Sequence, residues 1–157
     1  MAFTPTRLAL ILLSSALSVG VGLSGCSTSG QSPAVSAATQ AVTEQNLQAA
    51  QWTALAIDGV AQVTAPKPTL RWTGPQQVVG SGGCNQFRGR ALLGADGLRI
   101  GPIAGIGRAC VTAPSGQEDL FFKAVENTRS ARLENGQLVL LDASGKTLAR
   151  FDASSPN

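Results

Sequence analysis

From Trp52 to Phe151 the apolar positions come in short runs, each closed by residues that turn a chain. "WTALAI" ends at Asp58-Gly59, "TLRW" at Thr73-Gly74-Pro75, "GRALLG" at Asp96-Gly97, "ARLE" at Asn135-Gly136 and "QLVLLD" at Ser144-Gly145. Such dipeptides accept the positive φ angles of tight hairpins, so the rhythm predicts an antiparallel meander. Between Gln117 and Arg129 the period changes. Leu120, Phe121, Ala124, Val125 and Thr128 fall on one helical face, while Glu118, Lys123, Glu126 and Arg129 fall mostly off it. Ser115 and Glu118 have the spacing of a capping box, which would satisfy the first free amides of that helix. The predicted fold is α+β: a curved antiparallel sheet, partly open and barrel-like, packed with one amphipathic helix. Trp52, Trp72, Phe87, Phe121, Phe122 and Phe151 are its expected core aromatics.

The first residues follow another pattern. One cation, Arg7, precedes an apolar run from Leu8 to about Val21, and small residues follow. This is the layout of a secretory signal, and the run falls short of the about 20 apolar residues that a membrane span needs. The closing "LSGC", Leu23 to Cys26, resembles the bacterial lipobox. That resemblance implies removal of residues 1–25, a diacylglyceryl thioether on Cys26 and acylation of the new amino group. At about 0.8 kcal/mol per buried CH₂, two or three acyl chains hold a protein on a bilayer where one does not. The expected partner is therefore a membrane, reached through lipidated Cys26 in a bacterial envelope. Ser27 points to the outer membrane, on its periplasmic side. Residues 26–51, rich in Ser, Thr, Ala and Gln, read as a flexible tether with a frayed helix at most over 41–50. The domain is expected over 52–152 and a disordered tail over 153–157. "GVGLSG" matches the spacing of a dinucleotide-binding loop, but it follows no strand and lies inside the signal, so the match is coincidental.

Composition narrows the chemistry. The 157 residues include no His and no Tyr, which removes the commonest general base and the commonest metal ligand. No cofactor is implied. Without Arg7 the chain holds 11 basic and 9 acidic residues, and the basic ones are scattered. A nucleic-acid surface needs a concentrated basic footprint, so that partner is excluded.

The order of elements now carries a resemblance. Trp52 with Leu55, the segment "VGSGGCNQFRG", the element "LRIGPIAGIGRAC", the helix with Glu118 and Phe121, and the closing "GQLVLLDASGKTLARF" are together similar to the META domain family, which includes HslJ-type heat-inducible lipoproteins. The match marks Trp52, Gly83, Asn85, Phe87 and Gly89 as family-motif positions with structural roles. It implies association with envelope stress, drug resistance, secretion or motility. The family often carries threonines before its second cysteine, where this chain has Gly105, Ile106 and Gly107.

Cys84, inside the glycine segment, has no His to move a proton, and an arginine cannot act as base, so it makes a poor nucleophile. The segment also lacks the Lys-Ser/Thr ending of a phosphate loop, and two cysteines without histidine make a poor metal site. With Cys26 consumed by lipid, Cys84 and Cys110 remain, in an oxidising compartment. A disulfide between them, closing 27 residues, is favoured over a pair of buried free thiols. The functional expectation is a non-catalytic envelope lipoprotein that serves stress tolerance or binds an envelope component, whether protein, lipid or peptide. The alternative is a lipid- or peptide-binding module, similar to secretion pilots, with an unfilled groove between helix and sheet.

Overall fold

The computed structural model describes residues 38–105, 107 and 116–155. In chain order its elements are β1 (Thr39–Ala41), α1 (Glu44–Gln48), β2 (Gln51–Ile57), β3 (Thr69–Gly74), β4 (Gln77–Ser81), β5 (Gln86–Gly94), β6 (Gly97–Gly105), α2 (Gln117–Glu126), β7 (Ser130–Glu134), β8 (Gln137–Leu141) and β9 (Thr147–Ser154). The nine strands form one sheet in the order β1-β7-β8-β9-β2-β3-β4-β5-β6. Every pairing is antiparallel. Two meanders, β2 to β6 and β7 to β9, are joined by the central pairing of β2 with β9. The sheet curls without closing. At the start of β6 a Cβ on Gly97 would stand 2.3 Å from the Arg129 carbonyl oxygen, so the β5–β6 turn abuts the start of β7.

Local chemistry explains the elements. Asn135 (φ 52°) and Gly136 (φ 82°) fill the two-residue turn between β7 and β8, and two consecutive positive φ angles match the twist of paired strands. In β3, Leu70 and Trp72 are buried while Arg71 is exposed; in β6, Leu98 and Ile100 are buried while Arg99 is exposed. This is the two-residue alternation of a sheet with one face on a core. α2 packs on the core face against β2, β6 and β9. Phe121 of α2 meets Phe87 at 5.9 Å and Phe151 at 6.4 Å between ring centres, both edge-on, the arrangement that aromatic quadrupoles favour. β8 departs from alternation, because Leu138 to Leu141 are all buried. Val139 points away from the helix side and lies in register between Arg132 and Arg150, whose aliphatic stems can cover it.

Three expectations need correction. The stretch read as tether is ordered from Thr39: β1 pairs with β7, and α1 is capped reciprocally by Thr43 and Asn46. Leu47, only 1% exposed, anchors α1, and its carbonyl accepts the Trp52 indole N–H at 3.0 Å. A single well-placed leucine outweighs the polar composition around it. At the other end β9 continues to Ser154, two residues into the expected tail. The N-cap of α2 is Gly116, with no side-chain cap hydrogen bond, and Ser115, the first half of the expected capping box, lies outside the described residues. No helix among the described residues is long and apolar enough to cross a membrane.

Candidate functional site

The glycine segment forms the turn between β4 and β5, and its backbone is held by side chains from the first turn of α2. Glu118 accepts from the Asn85 amide at 2.7 Å and the Cys84 amide at 3.3 Å through one oxygen, and from Asn85 Nδ2 at 2.7 Å through the other. The turn is closed on itself by Gly82 N–H donating to the Asn85 carbonyl at 2.8 Å, and by Gly83 N–H donating to Ser81 Oγ at 3.1 Å. Gly83 has φ +116°, and a Cβ there would also sit 2.7 Å from the Pro66 carbonyl oxygen. One helical turn N-terminal anchor is thus shared with a neighbouring loop. Gln117, 4% exposed, donates to and accepts from the backbone of Thr64 at 3.1 and 2.9 Å. Gln117 and Glu118 pin the β2–β3 loop and the β4–β5 turn together.

The other motif positions are also built inward. Trp52 and Phe87 are 3% and 4% exposed. Phe87 also stacks edge-on with Phe122 at 5.6 Å. Gly89 lies against β6, where a Cβ would come within 2.9 Å of Ile103 Cγ2. Leu55, by contrast, sits at a bulge in β2 and is exposed. The Cys84 sulfur is committed to a disulfide; Cys26 and Cys110 both lie outside the described residues. The sequence pattern gave Glu118 a capping role because Ser-x-x-Glu spacing is local, whereas its partners are 33 and 34 positions away. Gln117 carried no signal, since a glutamine at a helix start is ordinary. Among the described residues no group of three or more His, Cys, Asp or Glu is placed to hold a metal.

A second feature occupies the opposite face of the sheet. Outward residues of β2 to β6 line a groove of about 730 Å³, including Arg71, Arg88 and Arg90 with Gln51, Gln77 and Gln86. Register sets these side by side: Gln51 faces Arg71, Arg71 faces Val79, Val79 faces Arg88 and Arg88 faces Ala104. On the other half of the sheet the basic side chains are matched by acids. Glu134 receives Arg132 and Arg150, and these hydrogen bonds, Arg132 foremost, hold its carboxyl below the ordinary glutamate value. Asp142, in the β8–β9 turn, is likewise lowered, chiefly by the Ser144 hydroxyl.

Comparison with known proteins adds to this geometry. A family model described as META domain matches residues 45–155. No curated protein matches the chain. Among solved structures it is similar to the NMR structure of a protein from Burkholderia xenovorans, at 26% identity and TM-score 0.54, covering 71% of this chain and 86% of that one. A second NMR structure is similar at 23% identity and TM-score 0.56, covering 70% of this chain and 94% of that one, a likeness of fold alone.

Proposed function

This chain belongs to the META domain family, and from that premise we propose that it is a non-catalytic lipoprotein of the bacterial envelope whose domain binds another envelope component. The observation that supports this best is the inward direction of the motif. Trp52 and Phe87 fill the core, Gly83 and Gly89 allow close backbone approach, and Asn85 is tied to Glu118. Residues spent on closing the scaffold leave recognition to the exterior. The absence of histidine from the whole sequence fits the same reading, since the commonest proton shuttle is missing. Cys110 is the expected partner of Cys84, because Cys26 is taken by lipid. The space between α2 and the sheet is occupied by Phe121, Val125, Phe87 and Phe151, so the pilot-like alternative gains no observation in its favour.

The anchor is tested by fractionating cells that make the wild type and Cys26→Ala. The wild type is expected in the outer membrane as a shortened, acylated form. The variant is expected to remain unprocessed; normal maturation and membrane partition of Cys26→Ala would contradict the reading.

A further inference from the structure

The charges of the domain are divided unevenly between the two halves of its sheet. From Thr69 to Gly105, the span of β3 to β6, there are four arginines, Arg71, Arg88, Arg90 and Arg99, against one carboxylate, Asp96 in a turn. All four arginines are exposed and lie on the face away from α2. Among the described residues Arg71, Arg88 and Arg99 make no side-chain hydrogen bond or ion pair, and Arg90 bonds only to the neutral Gln76 amide. Arg132 and Arg150 on the other half share Glu134. Three of the four, Arg71, Arg88 and Arg90, line the groove, which has the size of a small-ligand site.

We propose that this groove docks the phosphate-bearing headgroups of anionic lipids in the bilayer to which the chain is anchored. The inference rests on the lipid anchor proposed above. Three considerations select this occupant. The first is charge and its form: Arg88 and Arg90 stand about 7 Å apart along one strand face and Arg71 about 10 Å away across two strands, presenting separate guanidinium forks that match phosphate oxygens. The second is the lining. Between the arginines are Gln51, Thr69, Gln77, Ser81 and Gln86, donors and acceptors suited to phosphate and hydroxyl groups. A polypeptide partner would call for aromatic or large aliphatic anchors, and the accessible apolar residues of the lining, Val79, Pro102 and Ala104, are small and include no aromatic. The third is reach. Thr39, where β1 starts, follows Cys26 by 13 residues, and a chain of that length spans at most about 45 Å, enough to let any face of the domain meet the membrane. An anchor this short turns the second contact into an intramolecular one, with an effective concentration near millimolar.

The test uses the mature chain extracted from membranes and inserted in nanodiscs, either of phosphatidylcholine alone or of phosphatidylcholine and phosphatidylglycerol in equal parts, with a spin-labelled lipid in each. Backbone amides of Gln77–Ser81 and Gln86–Arg90 are expected to broaden in the anionic discs and not in the neutral ones. The triple variant Arg71→Gln/Arg88→Gln/Arg90→Gln is expected to lose this broadening, equivalent to about a hundredfold weaker surface association. The control Lys67→Gln/Lys123→Gln/Lys146→Gln, with the same change in charge, is expected to keep it. Broadening that is uniform, independent of phosphatidylglycerol or intact in the arginine variant would overturn the proposal. So would inorganic phosphate shifting the same amides as strongly as the anionic bilayer does, which indicates a free-anion site. If the anchor reading fails, the chain elutes apart from the discs. The groove is then tested by titrating it with phosphatidylglycerol vesicles, where loss of selective broadening counts against docking itself.

Discussion

Glu118 shows how much a single side chain decides in this domain. It gathers two backbone amides and the Asn85 amide group on one carboxylate, and an ionised acceptor strengthens each bond. Glu118→Ala is expected to destabilise the protein by about 2–4 kcal/mol in urea unfolding, because the donors of the turn lose their partner. Glu118→Gln keeps one acceptor oxygen and should cost about half as much. Gly80 gives a steric counterpart. A Cβ there would lie 2.0 Å from the Thr69 carbonyl oxygen and 2.8 Å from Phe87 Cε1, so Gly80→Ala must displace the β3–β4 pairing. Its urea midpoint is expected to fall by more than that of Glu118→Gln, and an unchanged midpoint would show that the sheet yields there easily.

Among the elements, β7, β8 and β9 carry the acid sensitivity. The Glu134 carboxyl is held below the ordinary glutamate value of 4.5 by Arg132 and Arg150. A folded value below the unfolded one means the stabilisation is complete above the unfolded pKa and is lost as pH falls through the folded pKa. Asp142 acts in the same direction. With no histidine in the chain, thermal stability is expected to be level between about pH 5.5 and 8 and to decline only in acid. Glu134→Gln should flatten that acid decline, as read from melting temperature against pH. The same elements show what the sequence made legible. β2, β3, β5 and β7 were readable because alternating residues ended at Asn-Gly, Asp-Gly or Gly-Pro, and β8 because its continuous apolar run ended at Ser144-Gly145. β4 was not, since Gly80 and Ser81 blur its pattern, and β6 is broken by a bulge at Gly101 and Pro102 opposite Arg90. β1 and α1 were hidden because their order comes from Leu47 meeting the core and from pairing with a strand about 90 residues away. The motif glycines announced close approach, but the carboxylate that they approach belongs to a helix distant in sequence.

At the scale of the whole molecule, a closed interior and an unevenly charged exterior divide the tasks. The scaffold is held by the joined meanders, by the clamp of Gln117 and Glu118 and by the disulfide of Cys84. If Cys110 is the second sulfur, the bond closes 27 residues, and reduction should lower unfolding free energy by about 3–4 kcal/mol in the chain-entropy estimate. Urea titrations with and without reductant measure this, and coincident curves would contradict it. The proposed partner contact lies on the exterior, at the membrane to which lipidated Cys26 is proposed to tie the chain. The most direct measurement is the intact mass of the protein purified from bacterial membranes, with its N-terminal peptide sequenced by fragmentation. The expected product is a chain that begins at Cys26 and carries a diacylglyceryl group with a further acyl chain. A chain that retains residues 1–25, or that begins at Cys26 with an unmodified thiol, would contradict it.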